Sequence, residues 1–219
     1  MAYSATKEIF LIRHAESIKN LLECFSDPQA QFSITAKGIK QTEKLTAALS
    51  HELKDYNQER VLIVSNQESR ANQTARILQE GLRLTLIVSK ELNPIDSGLL
   101  SGVNESDAWS LYPDIMKKKE AYRKGHLDGY ELIYPNGESV AHFQERVMKS
   151  FFSIIKNQAH NVFLFIGHQS TITATLSFFM NQVERKRFYH FIKLDLCSIS
   201  KINVGRDKTG QIEYINRVV

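Results

Sequence analysis

The chain has 219 residues, 42% hydrophobic and 24% charged, which suits one well-buried α/β domain and is short for two. A net charge of +4 is a mild basic excess; it lacks the dense positive block of a nucleic-acid arm, and an anionic small substrate fits it without being required. Two cysteines, Cys24 and Cys197, form neither a metal spacing nor a disulfide framework. The start, Met1 to Lys7, has no apolar core of a signal peptide, and no run approaches the roughly 18 apolar residues of a membrane span. The expectation is a cytoplasmic protein with no metal and no nucleic-acid or membrane partner, its oligomeric state left open.

Ile9 to Ile12 is apolar on both faces, the pattern of a strand buried mid-sheet. The strand, about Glu8 to Arg13, runs into Arg13-His14, and ligands of open α/β sheets sit just beyond the carboxyl ends of strands. Leu21 to Ser33 reads as a loop, with Ser26-Asp27-Pro28 as a turn signal. Thr35 can cap a helix to about Leu53, with Ile39, Thr42, Leu45, Leu49 and Leu53 on one face. Arg60 to Ser65 is a second buried strand. A helix from about Gln67 to Glu80 follows, with Gly81 as its cap, and then a third strand from Leu84 to Val88.

Residues 89–103 are loop-like, and residues 104–125 read as two short helices split near Pro113. Tyr134-Pro135-Asn136-Gly137 is a turn before an amphipathic helix from Glu138 to about Ala159, in which Val140, Phe143, Val147, Phe151 and Ile154 align. Asn161 to Ile166 is a fourth buried strand, followed by Gly167-His168 and a helix from about Ser170 to Met180. Leu196 to Val204 and Gln211 to Val218 pair as a final antiparallel hairpin. Strands alternating with helices predict an α/β fold, a three-layer α/β/α sandwich with a mostly parallel sheet and an antiparallel edge. No linker or repeat interrupts it, so residues 1–219 are expected to form one domain. The basic clusters Lys117-Lys118-Lys119 and Glu184-Arg185-Lys186-Arg187 read as solvated helix faces.

Three strand ends share a character: Arg13-His14 after the first, Ser65-Asn66 and then Arg70 after the second, Gly167-His168-Gln169 after the fourth. If these strands are parallel, two arginines and two histidines converge at one edge of the sheet. Two arginines in one pocket repel unless an anion lies between them, and planar guanidinium groups match phosphate oxygens bidentately. Helix N-termini after strands two and four aim N–H groups the same way. The chemistry implied is phosphate binding, with a histidine available as nucleophile.

These residues also resemble a known family. Leu11-Ile12-Arg13-His14-Ala15-Glu16-Ser17 with Asn20, Ile34-Thr35-Ala36-Lys37-Gly38, Ser65-Asn66 to Arg70-Ala71-Asn72-Gln73-Thr74-Ala75, Pro135-Asn136-Gly137-Glu138-Ser139 and Ile166-Gly167-His168 are similar, in order, to the motifs of the histidine phosphatase superfamily, also called phosphoglycerate mutase-like. The resemblance implies that fold, no cofactor or metal, and a small phosphorylated substrate. It makes His14 the nucleophile that becomes phosphohistidine. Arg13, Arg70 and His168 would grip the phosphate, as electrostatic clamping dominates phosphoryl transfer. Asn20, Ser17, Glu138 and Gln169 would reach the substrate. Glu16 either answers a helix dipole or orients Arg13 or His14. Ser139 is favoured as a helix cap, with Glu138 a cap partner or a pocket residue.

One position departs from the pattern. Leu92-Asn93-Pro94-Ile95-Asp96-Ser97-Gly98-Leu99-Leu100-Ser101-Gly102 resembles the family's L-x-E-I-D-x-G-x-x-E-G, so Pro94 stands where the proton donor usually is. Proline carries no proton to give, and a positioned acid contributes roughly 10²–10⁴-fold. Three readings follow. Asp96 or Glu91 could replace the acid, with Glu138 more distant. The substrate could have a leaving group that needs little protonation. Or the protein could bind phosphorylated ligands and turn them over poorly. The expected function is a phosphatase of a small phosphorylated metabolite, nearest to the fructose-2,6-bisphosphatase and broad-specificity branch. A phosphoglycerate mutase is the enzyme alternative, and a phospho-ligand-binding protein the alternative of another class.

Overall fold

A computed structural model describes residues 6–27, 29–180 and 192–219. The cluster Glu184–Arg187, His190, Pro28 and the first residues of the N-terminal segment lie outside the described residues.

Six strands form one sheet: β1 (Lys7–Arg13), β2 (Val61–Ser65), β3 (Thr85–Val88), β4 (Val162–Gly167), β5 (Ile199–Val204) and β6 (Gly210–Arg217), in the order β3-β2-β4-β1-β5-β6. Neighbours from β3 to β1 pair in parallel, and β5 and β6 add an antiparallel edge. The sandwich expected from the sequence is therefore the one observed. The helices are α1 (Ile18–Leu22), α2 (Ala36–Glu52), α3 (Ser69–Leu82), α4 (Glu105–Leu111), α5 (Pro113–Arg123), α6 (Val140–Asn157) and α7 (Gln169–Met180).

Alternation along the strands divides the core between the two faces. Phe10, Ile12, Ile63, Leu164 and Ile166 pack under Leu45 and Leu49 of α2 and Ala71, Ala75 and Leu78 of α3. Ile9, Leu11, Val64, Phe163 and Phe165 face Phe143, Val147 and Phe151 of α6 and Ile172 and Leu176 of α7. The register sets Arg13 beside Gly167, so β1 and β4 end side by side and deliver His14 and His168 to one place.

Several boundaries differ from expectation for physical reasons. The expected loop from Leu21 begins inside a helix instead: Ile18–Leu22 form α1, which buries no residue fully and so leaves no apolar stripe in the sequence. Thr35 does cap α2, accepting from Gly38 N–H at 3.0 Å, but Ile39 is 42% exposed. Gly81 does not end α3. It lies inside the helix, where a Cβ would come 2.5 Å from Thr46 Cγ2, and Arg83 takes the left-handed cap at φ 55°. Pro113 opens α5, and Ser139 caps α6 by accepting from His142 N–H at 3.1 Å, both as expected. Among the described residues no helix is long and apolar enough to cross a membrane.

Candidate active site

A cavity of about 280 Å³ opens at the carboxyl end of the parallel strands. Its floor is built from Arg13, His14, Arg70 and His168. A groove of about 1220 Å³ elsewhere, lined by Tyr130, Met148, Phe152 and Phe178 among others, shares no residue with it.

His14 is 3% exposed, and its N–H donates to Gly167 O at 2.9 Å, which ties the end of β1 to β4. Its ring Nδ1 lies 2.7 Å from Ala15 O. A carbonyl only accepts, so Nδ1 carries the proton and Nε2 keeps its lone pair. Burial first, then the Arg70 charge, hold its pKa well below the ordinary histidine value. His14 is thus a neutral imidazole with a free nitrogen, the form a nucleophile needs.

The His168 ring lies 4.9 Å from that of His14, centroid to centroid. Its Nε2 is 3.2 Å from Asn66 Oδ1, which also accepts from Glu68 N–H at 3.0 Å; as an acceptor, Oδ1 makes Nε2 the donor. Burial and then Arg70 depress the His168 pKa as well. Arg70 extends from the first turn of α3, its side chain 1% exposed. Its Nη1 pairs with buried Glu68 Oε2 at 2.6 Å, and Nη2 donates to Ser26 Oγ at 3.1 Å. Arg13 donates from Nη1 to Leu194 O. One set of atoms is left over: the buried Arg13 Nε, Arg70 Nε and His168 Nδ1 have no hydrogen-bond partner. Two guanidinium groups on residues lining one cavity suit an anion, while His168 Nδ1, with the proton on Nε2, keeps a lone pair in the neutral ring.

The remaining predicted residues divide. Asn20 lines the cavity. Its Oδ1 takes Ser17 N–H at 3.1 Å and Ser17 Oγ at 2.7 Å, so its side chain has N–H to offer a ligand. Ser17 is fully buried outside the cavity lining and acts by holding Asn20. Gln169 borders the cavity, but its amide is engaged with Thr173, Ile192 O and Leu194 N–H, which fixes the carbonyl that Arg13 uses. Glu16 faces neither Arg13 nor His14; it takes Thr35 Oγ1 at 2.9 Å and Lys37 Nζ at 2.7 Å at the start of α2.

Glu138 also lies outside the cavity lining. It pairs with Arg146 at 2.5 Å and accepts Asp96 N–H at 2.9 Å, while Arg146 donates to Glu91 O at 2.8 Å and to Asn93 O and Pro94 O. The two form a clamp that sets segment 91–96 as a cavity wall. Gly98, at φ +51°, lets that segment turn against Pro135 O, where a Cβ would sit 2.0 Å away.

Neither sequence candidate for the acid reaches the cavity. Asp96 is exposed and closes a local turn, its Oδ1 accepting Gly98 N–H at 2.9 Å. Glu91 is exposed on a 3₁₀ turn. Both fall outside the lining because the clamp holds this segment by its backbone and turns Pro94 and Ile95 inward. Sequence reasoning missed Lys19, Ser26, Glu105 and Lys119, which do line the cavity. Lys19, one residue before Asn20, carried a signal of proximity alone. Among the described residues no group of three or more His, Cys, Asp or Glu is placed to hold a metal ion.

Comparison with known proteins adds family context. The family model of the histidine phosphatase superfamily (branch 1) matches residues 9–217. A Proteus mirabilis protein named "Probable phosphoglycerate mutase GpmB" is 24% identical over 205 residues, covering 90% of this chain and 84% of its own. The alpha-ribazole phosphatase from Shigella flexneri superposes with TM-score 0.77 at 22% identity, over 97% of each chain. A mycobacterial glucosyl-3-phosphoglycerate phosphatase in complex with VO3 does so with TM-score 0.79 at 17% identity, over 96% of this chain and 98% of its own. At such identities the solved structures establish a shared fold.

Proposed function

The chain belongs to the histidine phosphatase superfamily, branch 1, and from that premise we propose that it is a phosphoric ester hydrolase that takes the phosphoryl group of a small phosphorylated metabolite onto His14. The observation that carries this reading is the cavity lining itself: Arg13, Arg70 and His168 border it beside His14, whose neutral ring keeps a lone pair on Nε2. A phosphoryl group seated there meets two guanidinium groups beside the Nε2 lone pair of His14.

In the first step the Nε2 lone pair forms the N–P bond while the bond from phosphorus to the leaving oxygen breaks. The arginines do not move to answer the charge that develops; they are already fixed by Glu68, Ser26 and Leu194 O, which is the condition under which electrostatic stabilisation is strong. His168 donates from Nε2 to Asn66 and lines the same cavity, and its Nδ1 donates only once the ring is protonated, which a bound dianion favours. Water then attacks phosphohistidine and releases phosphate. The small cavity and its cationic wall suit a compact, singly phosphorylated ester.

The test is turnover of p-nitrophenyl phosphate together with trapping of the phosphoenzyme. The expected result is hydrolysis, with label on the protein that is stable in base and labile in acid, both abolished in His14→Ala. Unlabelled protein with full activity in His14→Ala would sink the assignment. Pro94 favours a second reading, a phosphate-ligand binder with little turnover. Tight phosphate binding with no hydrolysis of an activated ester would support it. Interconversion of phosphoglycerates faster than their hydrolysis would favour a mutase instead.

A further inference from the structure

The site as described lacks a group to protonate the leaving oxygen, since Pro94 lines the wall and Asp96 and Glu91 do not. We propose that Glu105, at the first turn of α4, is the general acid of this site. The proposal rests on the phosphatase reading above. Glu105 is the one carboxylate among the described residues lining the cavity, on a wall shared with Lys19, Lys119 and Phe25.

Its position there is built. The segment that delivers it runs alongside residues 23–25: Glu105 N–H donates to Glu23 O at 3.1 Å and Phe25 N–H to Val103 O at 2.9 Å, while Cys24 and Asn104 form an isolated bridge. Asn104 Nδ2 adds a bond to Leu22 O at 2.8 Å. The same stretch of chain carries Lys19, Asn20 and Ser26 into the cavity. Glu105 is therefore fixed to the phosphate-binding side of the molecule and not to a separate cap.

Its charge partners are Lys119, whose Nζ lies 3.8 Å away and 4.5 Å from the centre of the Phe25 ring, and Lys19, which senses it electrostatically. The Glu105 side chain is 59% exposed and so reaches solvent as well as the cavity.

The step balances. As His14 Nε2 bonds to phosphorus, the ester P–O bond breaks and the leaving oxygen takes the carboxyl proton of Glu105. In the second step water bonds to phosphorus, the N–P bond breaks, and the Glu105 carboxylate takes the proton that water gives up. Both groups return to their starting state.

The leaving-group dependence of kcat/KM tests this, because kcat/KM reports the steps through phosphoryl transfer and not the later hydrolysis. The substrates are aryl phosphates of graded leaving-group pKa and glycerol phosphate. Glu105→Gln should lose roughly 10²-fold or more on glycerol phosphate, the scale of a missing general acid, and only a few-fold on p-nitrophenyl phosphate. The plot against leaving-group pKa should steepen in Glu105→Gln and partly recover in Glu105→Asp. Equal losses on all esters, with the wild-type slope kept, would overturn the proposal and leave the phosphatase reading standing. So would a steeper slope in Lys119→Met or Tyr134→Phe without one in Glu105→Gln, which would hand the proton to another group on the wall. A wild type inert toward p-nitrophenyl phosphate would overturn both readings.

Discussion

The buried pair of Glu68 and Arg70 shows how one residue holds another in readiness. Arg70 is kept at full charge inside the protein by a single carboxylate at 2.6 Å, in the company of two neutral histidines and Arg13. Removing one partner of a buried pair costs about 3–5 kcal/mol, because the other charge remains without compensation. Glu68→Ala should therefore lower stability by that order in phosphate-free buffer. Phosphate supplies the missing negative charge, so it should raise the melting temperature of Glu68→Ala by more than that of the wild type. A smaller phosphate shift in the variant would show that Glu68 positions Arg70 without balancing it. The histidines give a second expectation. Both have folded-state pKa values below the unfolded value of about 6.5, so the unfolded chain binds protons that the native one refuses. Stability is then fully present above about pH 6.5 and falls as pH drops below it, by up to about 1.4 kcal/mol per pH unit for each histidine. Urea denaturation between pH 7.5 and 5.5 reads this slope, and His168→Asn should reduce it. An unchanged slope would mean the two rings protonate freely in the native state.

At the scale of elements, the clamp from α6 sets the cavity wall. Arg146 and Glu138 grip segment 91–96 through four backbone groups of Glu91, Asn93, Pro94 and Asp96, and neither side chain lines the cavity. Arg146→Met should leave phosphohistidine formation possible while loosening the wall. The expected outcome is a KM for sugar and triose phosphates raised by about tenfold, corresponding to about 1.4 kcal/mol, with a smaller change in kcat. A collapse of kcat at constant KM would instead place the clamp in the chemistry. The clamp also shows what the sequence could reveal. Arg13-His14 and Gly167-His168 were legible because each is local: an apolar run, then a polar pair where the run stops. The fold class was legible for the same reason, since strand and helix periods are written along short stretches. Glu138 sat inside a recognisable motif, but its task could not be read there, because Arg146 and the carbonyls it organises come from another stretch of chain. Glu105 was harder still. Its place at the cavity is tied to Asn104 reaching Leu22, 82 residues back along the chain, and nothing local to α4 announces that contact. The α1 helix escaped for a related reason, as a five-residue element with no fully buried face has no period to detect.

For the whole molecule, the cavity is where separate parts of the fold meet. Its lining comes from the ends of β1 and β4, from α1 and the residues after it, from α3, from the wall at Pro94 to Ser97, and from α4 and α5. An anion that satisfies Arg13, Arg70 and His168 together ties these parts to one another, so its binding energy appears as global stability. A ligand at 100 times its Kd adds about 2.7 kcal/mol to the native state. Saturating phosphate or vanadate should therefore raise the melting temperature by several degrees and slow amide exchange at the ends of β1 and β4 and in residues 19–27 and 94–105 together. Arg70→Met, which removes one arm of the grip, should abolish most of that shift. His14→Ala should keep it, because His14 attacks the group that the other three residues hold. High salt should weaken the effect in the wild type, since part of the attraction is long-range and screened over about 10 Å at 0.1 M. Protection confined to the strand ends, with residues 94–105 unchanged, would mean that the wall carrying Pro94 and the segment carrying Glu105 do not close on a phosphoryl group, and that the leaving group is met by solvent.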